Sequence, residues 1–234
     1  MIHLKKFSFN PLETCCYVIW DEGKRGVAVV DPGMISGEER ERLFSFLGEN
    51  GLKPDKILLT HGHFDHVYGV ASLVERFGCE VFMHPADKER IGEMNVLMQY
   101  LDFDAPAPFE FIGVHEGDHV KVGEIDFEVM EIPGHTGGSV AWIDHEDKVV
   151  FSGDTLMRGS IGRTDLPGGD YDSIIKSLMD KLMGLDGDFD VLPGHGPGTS
   201  IGYEAFHNPF LVPFNEPEGP WWEQDGISLN PDKI

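Results

Sequence analysis

The segment 60–66 brings three imidazoles and one carboxylate close together in the sequence; it reads Thr60, His61, Gly62, His63, Phe64, Asp65, His66. Packed as ordinary core, these groups would repel one another and lose hydration. A bound divalent cation removes both problems, because neutral imidazole nitrogen and carboxylate oxygen are ligands that a borderline metal prefers. A structural zinc clamp is the alternative, but structural sites usually use cysteine and close all four coordination positions. The segment therefore predicts a metal site of the catalytic type.

Spacing indicates how the four side chains divide. His61 and His63 are two residues apart in an extended segment, so they project to the same side and can share one metal. Asp65 and His66 follow the bend and point toward a neighbouring position. An apolar run before the cluster predicts a buried strand, and the residues after it have helical spacing. The ligand candidates thus lie on a strand-to-helix turn at the end of a sheet.

Three later segments each offer one further ligand-type residue: His135, Asp154 and His195. Each lies in a glycine-flanked turn directly after an apolar run that predicts a strand, at 127–132, 149–151 and 189–192. Any one of them alone would be read as a core residue with satisfied hydrogen bonds. Four loops that converge at one sheet edge are instead the layout of an active site.

The order of these residues resembles the metal-binding motifs of the metallo-β-lactamase-fold hydrolases. Within that superfamily the chain resembles the glyoxalase II-like, or hydroxyacylglutathione hydrolase-like, branch most closely. The resemblance covers about residues 12–210, and besides the segment around His61 it rests on the residues 152–156, 159–165 and 192–197. The motifs are specific for the superfamily and much less specific for a substrate, since this fold hosts many chemistries.

The resemblance implies two metal ions and a reaction. It divides the ligands into His61, His63 and His135 for one metal, and Asp65, His66 and His195 for the second, with Asp154 as the bridge. The implied reaction is hydrolysis of a thioester of the S-lactoylglutathione type by a hydroxide held between the metals, which Asp65 helps to orient as a catalytic residue. Zinc is the first expectation, with iron or manganese as alternatives, because all three accept nitrogen and oxygen ligands.

Three other functions stay open at this point. Persulfide dioxygenases share the Gly-Arg-Thr-Asp segment at 162–165 and use one iron on the residues matching His61, His135 and Asp154. A lactonase of the same fold would open lactone rings, and a non-catalytic protein would bind metal without turnover. Only one basic residue, Lys233, follows His195. The glutathione-binding residues of the larger glyoxalase II enzymes therefore do not carry over.

Composition limits the partners and the compartment. The net charge of −23 argues against nucleic acid, whose phosphates would be repelled. The sequence has neither the apolar run of a signal peptide nor one long enough to span a membrane. Its three cysteines include the adjacent pair Cys15 and Cys16, a usage typical of a reducing compartment. We expect a cytoplasmic protein with a small-molecule thioester substrate, no nucleic-acid partner and no membrane association; the sequence does not predict the oligomeric state.

The elements that must position the ligands predict an α+β fold. Two strand-rich halves, each flanked by helices, indicate two packed sheets with helices outside, and the resemblance implies the four-layer αββα sandwich of the metallo-β-lactamase type. The domain is expected to span 1–210, with a C-terminal tail at 211–234 packed on it. Helices are predicted at 37–50, 67–77, 86–101, 171–183 and 200–206, and strands at 80–83, 125–131, 139–144 and 148–152.

Several residues have supporting roles in this interpretation. Asp31 is a possible partner for a ligand imidazole, and a simple turn role is equally compatible with the sequence. Arg163 and Asp165 are expected to pair with each other. Thr136 and Ser139 are expected to secure the turn at His135. The remaining histidines are expected to lack the company of other ligand residues and to lie at the surface or in loops: His3, His84, His115, His119, His145 and His207.

Overall fold

The computed structural model describes residues 2–23, 25–91, 98, 100 and 103–212. It contains two six-stranded sheets and a two-stranded ribbon. The first sheet has the order β1-β2-β3-β4-β5-β6, and its strands are Ile2–Phe9, Thr14–Asp21, Val27–Val30, Lys56–Leu58, Glu80–Met83 and Ile112–Gly113. The second sheet has the order β14-β13-β10-β9-β8-β7, and its strands in chain order from β7 are His119–Val122, Ile125–Glu131, Val140–Asp144, Val149–Gly153, Asp190–Pro193 (β13) and Thr199–Ser200 (β14). The ribbon pairs β11 and β12, which are Leu156–Met157 and Ser160–Ile161.

Five α-helices connect these strands within the described residues. They are α1 (Gly37–Glu49), α2 (Phe64–Val67), α3 (Val70–Phe77), α4 (Tyr171–Asp180) and α5 (Ile201–His207). Two 3-10 helices lie at Pro85–Arg90 and Leu182–Gly184. Among the described residues, none of the helices has the length and apolarity needed to cross a membrane.

Three apolar clusters define the layers of the sandwich. The first joins the outer face of the first sheet to helices α1 and α3, with Leu43, Leu47 and Leu73 fully buried. The second lies between the two sheets, where Tyr17 packs edge-on against Phe151. The third joins the second sheet to α4, to α5 and to the 3-10 helix Leu182–Gly184. The order helix, sheet, sheet, helix is the predicted αββα sandwich.

Local sequence signals explain where several helices begin and end. Ser36 caps α1 by accepting a hydrogen bond from the Glu39 N–H, and the Glu39 carboxylate accepts one from the Ser36 N–H. Such a capping box contributes about 1 kcal/mol to helix stability. Helix α3 ends at Gly78, whose φ of 73° is the left-handed conformation that glycine adopts without strain. Asp170 caps α4 through the Ser173 N–H.

Parallel strand pairs bring the polar loops to one edge. Strands β3, β4 and β5 run parallel, so their carboxyl ends, and the residues Asp31, His61 and His84 that follow them, lie at the same edge of the first sheet. Strands β10 and β13 run parallel in the second sheet, which places Asp154 and His195 at its matching edge. A backbone hydrogen bond of 2.7 Å from Cys15 N to Gly194 O joins the two edges.

Most predicted elements match the structure to within a few residues. The predicted helix 86–101 is matched in part: a 3-10 helix occupies Pro85–Arg90, residues 98 and 100 are helical, and most of the remainder lies outside the described residues. The tail predicted at 211–234 also lies almost wholly outside the described residues, apart from Leu211, which is buried in the third cluster, and its neighbour at 212. The three cysteines are free and buried.

Candidate metal centre

His61, His63 and His135 form the first of two ligand groups at this edge. The ring nitrogens of the three imidazoles converge: His61 Nε2 lies 3.1 Å from His63 Nδ1, and His135 Nε2 lies 2.9 Å from the same atom. The first two side chains lie on the extended loop between β4 and α2, and the third lies in the turn between β8 and β9. The sequence prediction that His61 and His63 face one point agrees with this geometry.

Asp65, His66 and His195 form the second group. His195 Nε2 lies 3.4 Å from Asp65 Oδ2 and 3.4 Å from His66 Nε2. Asp154 lies between the groups, since its Oδ1 is 3.5 Å from His66 Nε2, and its Oδ2 is 3.5 Å from both His135 Nε2 and His195 Nε2. All seven residues named from the sequence therefore lie together.

The hydrogen bonds around the centre fix the tautomers of four imidazoles. His135 Nδ1–H donates to the Arg163 carbonyl at 2.8 Å, and His195 Nδ1–H donates to the Leu12 carbonyl at 2.9 Å. His66 Nδ1–H donates to Asp31 Oδ2 at 3.0 Å. In each of these rings the outer nitrogen carries a proton, so Nε2 is the nitrogen that faces the centre and can bind a metal there.

Thr60 fixes the fourth ring, that of His61. The Thr60 hydroxyl donates to Asp31 Oδ2 at 2.7 Å, so its oxygen accepts the Nδ1–H of His61 at 3.0 Å. His61 Nε2 therefore also presents a lone pair inward. Four Nε2 atoms that face inward are the arrangement that histidine ligands need.

Asp154 supplies an independent test of whether metal ions fit here. Its Oδ1 is buried and has no hydrogen-bond partner, which is costly for an ionised oxygen unless a cation compensates it. Gly194 makes room for it, because a Cβ at that position would lie 2.1 Å from Asp154 Oδ1. A buried carboxylate oxygen with no hydrogen-bond partner, placed among imidazole nitrogens, fits divalent cations.

The electrostatics differ between the two groups. Burial, and then the neighbouring His135, lower the pKa of His63 to about 3, and burial lowers the pKa of His61 well below its usual value. Burial also opposes the charge of His66, but Asp65, Asp154 and Asp31 outweigh it and raise the pKa of His66 to about 10. His61 and His63 are therefore neutral and ready to ligate, whereas a cation that binds His66 displaces a proton.

Asp65 is held in place by residues outside the predicted ligand set. Its Oδ2 accepts a hydrogen bond from the Thr14 hydroxyl at 2.8 Å, and its carbonyl accepts one from the Asn10 amide at 3.2 Å. Burial alone would raise the pKa of Asp65, but His66, His195 and Thr14 hold it below its usual value. The carboxylate is thus ionised and fixed in orientation. Thr14 and Asn10 carried no signal in the sequence.

Asp31 supports both groups from behind. Its Oδ1 accepts the Thr60 N–H at 2.8 Å, and its Oδ2 accepts both the Thr60 hydroxyl and His66 Nδ1–H. The residue also has a left-handed backbone with φ of 47°. It therefore serves as a partner of a ligand imidazole and as a turn residue, the two roles considered from the sequence.

Asp87 is the main supporting residue that sequence analysis missed. It lies on the 3-10 helix Pro85–Arg90 and is 1% exposed. Its Oδ2 accepts the Gly62 N–H at 2.8 Å and the Thr136 hydroxyl at 2.7 Å, and its Oδ1 accepts the Gly138 N–H at 2.8 Å. One carboxylate thus clamps the turn between His61 and His63 to the turn that carries His135.

The other supporting predictions have clear outcomes. Arg163 and Asp165 pair through two hydrogen bonds of 2.7 and 2.8 Å, and the Thr136 N–H donates to Ser139 Oγ at 3.1 Å, as expected. The prediction that His84 and His115 have no ligand-type neighbours is wrong. Both rings lie beside Glu131, because β5, β6 and β8, distant in sequence, end close together.

The family model of the metallo-beta-lactamase superfamily matches residues 10–198 of this sequence, a span that contains all seven predicted ligands. The chain belongs to the metallo-beta-lactamase superfamily. The site described above therefore belongs to a metallo-hydrolase fold. Its His and Asp clusters are suited to divalent metals.

Individual relatives of this superfamily member are similar over most of its length. It is 40% identical over 200 residues to hydroxyacylglutathione hydrolase GloC of Haemophilus influenzae. This match covers 84% of this chain and 92% of the relative. Among solved structures it is similar to the BLEG-1 B3 metallo-beta-lactamase, with a TM-score of 0.81 and 34% identity over 90% of this chain and 100% of that one. It is also similar to TTHA1623 in a di-iron-bound form, with a TM-score of 0.79 and 39% identity over 88% of this chain and 100% of that one.

Proposed function

We propose that this protein is a dinuclear metal-dependent hydrolase that cleaves a thioester of the S-lactoylglutathione type. The observation that carries the proposal is the convergence of six ligand-type side chains around Asp154, whose buried Oδ1 has no hydrogen-bond partner and lies among inward-facing imidazole nitrogens. The substrate class rests on the similarity to the Haemophilus influenzae hydroxyacylglutathione hydrolase, which extends over 92% of that enzyme.

The predicted ligands divide between two metal ions. His61, His63 and His135 would bind one metal, Asp65, His66 and His195 the other, and Asp154 would bridge the two. Divalent metals supply two kinds of chemistry at such a centre: they lower the pKa of a bound water and they polarise a carbonyl oxygen. Zinc is the first choice, and the similarity to a di-iron-bound structure keeps iron as the second.

Asp65 has the position of the catalytic carboxylate in this proposal. Thr14 fixes the same oxygen, Oδ2, that lies 3.4 Å from His195 Nε2, so the carboxylate cannot swing away from the centre. Because it is ionised, it can accept a hydrogen bond from the attacking water and orient it. A thiolate is a good leaving group, so hydrolysis of a thioester needs no further acid from the protein.

The partner and the compartment are part of the same proposal. A chain with a net charge of −23 repels nucleic acid, so a small thioester remains the expected substrate. Three free cysteines, all buried, are typical of a protein from a reducing compartment, which supports a cytoplasmic location.

The test combines metal content with thiol release. We expect freshly purified protein to contain about two metal ions per chain and to release free thiol from S-lactoylglutathione, detected with a thiol reagent. His145→Ala is the matched control, because His145 is exposed and its ring contacts Glu128 and Phe189, neither of which is a predicted ligand; its rate should equal that of the wild type.

Each alternative function gives a different result in this assay. One iron per chain, no thiol release and oxygen uptake with a persulfide would replace the proposal with the dioxygenase. Ring opening of lactones without thiol release would indicate the lactonase. Bound metal with no turnover of any ester or thioester would indicate a non-catalytic metal-binding protein.

A further inference from the structure

His84, His115 and Glu131 form a second cluster of ligand-type side chains that shares no residue with the main centre. One potential ligand atom from each lies within 4.8 Å of the other two. Glu131 Oε1 is 3.1 Å from His84 Nε2 and 3.5 Å from His115 Nδ1, and the two rings stand at 80° with centroids 5.0 Å apart. We propose that this cluster is a separate, solvent-accessible binding site for zinc or a similar borderline divalent cation.

The three side chains offer the ligand chemistry that zinc prefers, two imidazole nitrogens and one carboxylate oxygen. Burial opposes the charge of Glu131, but the Glu116 N–H and His84 hold the pKa of this carboxyl below its usual value, so it is ionised at neutral pH. The His84 side chain is 13% exposed, that of Glu131 34% and that of His115 61%. A cation can therefore enter from solvent and keep water in its remaining coordination positions.

The backbone already fixes the three ligands relative to one another. His84 directly follows β5, and His115 follows β6, the parallel neighbour of β5. The turn at His115 is closed by hydrogen bonds in both directions with Asp118. Glu131 ends β8, and its backbone N–H donates to Glu116 Oε2. The backbone positions of the three ligands are therefore set before a metal binds.

Two neighbouring contacts oppose metal binding and have to be accommodated. His84 Nδ1 accepts the Ala86 N–H at 3.2 Å, so coordination through Nε2 moves the ring proton to Nδ1 and opens that contact. The Ala86 N–H is exposed and water can replace the lost acceptor. Lys181 brings a positive charge close by, but its ammonium is engaged by Glu116 Oε2 at 2.9 Å and the Glu131 carbonyl at 2.8 Å.

Two other surface histidines can be compared with the cluster at Glu131. His119 with Asp126 and His145 with Glu128 are exposed pairs of one imidazole and one carboxylate. Such a pair offers two ligands and is common without a metal. The cluster at Glu131 adds the second imidazole, and this addition separates it from the two pairs.

The test titrates zinc into the purified protein with its resident metals in place. We expect the wild type to bind one additional zinc per chain, measured by competition with a zinc-binding dye. His115→Ala and Glu131→Gln should each weaken this binding at least about tenfold, because each removes a ligand. His145→Ala and His119→Ala should bind zinc as the wild type does.

A stability measurement checks the same site without counting metal. Zinc should raise the midpoint of thermal unfolding of the wild type and of His145→Ala, and the rise should be much smaller in His115→Ala. His115 is exposed, so its replacement leaves the core intact, and the resident metals and the hydrolase rate should not change. Equal zinc binding by the wild type and His115→Ala, or no additional zinc in the wild type, would overturn the proposal.

Discussion

Asp154→Ala should lose bound metal and hydrolase activity together. Asp154 is the carboxylate between the two ligand groups, 3.5 Å from nitrogens of His66, His135 and His195. Without it, the two cations would lose the carboxylate that lies between them, and Asp65 alone would offset less of their repulsion. The rate should fall by more than the about 10–100-fold that loss of a merely supporting residue costs. Metal content by mass spectrometry and thiol release on the same preparation measure both effects.

Companion variants show whether the loss is specific to the centre. His63→Ala removes one ligand of the first group and should have the same two effects. His145→Ala should retain wild-type metal content and rate, and a large kinetic defect there would mean that the site has been misplaced. Full activity in Asp154→Ala with normal metal content would remove the dinuclear proposal.

The predictable part of this molecule is encoded locally. The ligands His61, Asp154 and His195 each follow an apolar strand at a glycine-containing turn, so the strand ends at β4, β10 and β13 could be placed from periodicity to within one or two residues. Strands whose carboxyl ends share an edge must bring their loops together. For this reason the convergence of His61, Asp154 and His195 followed from the sequence before any contact was known.

The unpredicted part depends on contacts between distant segments. Thr14 and Asp65 are far apart in sequence, and nothing in the spacing of either residue indicates their 2.8 Å hydrogen bond. The same holds for His84 and His115, which meet at Glu131 only because β5 and β6 pair. Polar residues of common types at the ends of short strands give no signal until the register of the sheet is fixed.

Asp87 belongs to this second class, and its replacement is the other large effect that we expect. Asp87→Asn keeps the size of the side chain but replaces one acceptor oxygen with a donor. Turned one way, the new amide N–H₂ faces the Gly138 N–H; turned the other way, it faces the Gly62 N–H. Either orientation leaves a buried backbone donor unsatisfied, which costs about 1–3 kcal/mol of folding free energy.

The same change should weaken the first metal position in particular, because both turns that the clamp joins carry its ligands. We expect the affinity of the His61, His63 and His135 group to fall about 10–100-fold, measured by chelator competition on the metal-free protein, with the second group much less affected. Thermal unfolding of the metal-free variant separates this positioning effect from a general loss of stability. Lower stability with unchanged affinity at the first position would contradict the positioning role.

Two adjacent glycines provide a matched pair for this argument. A Cβ at Gly138 would lie 2.7 Å from Asp87 Cγ and Oδ1, whereas a Cβ at Gly137 would meet nothing within 4 Å. Gly138→Ala should therefore push the clamp away and reproduce the affinity loss of Asp87→Asn, while Gly137→Ala should leave metal affinity unchanged. Because the two substitutions are chemically identical and one residue apart, a difference between them reports the contact with Asp87 and not the general cost of altering this loop. Equal effects of the two would show that the turn at His135 is positioned without the clamp.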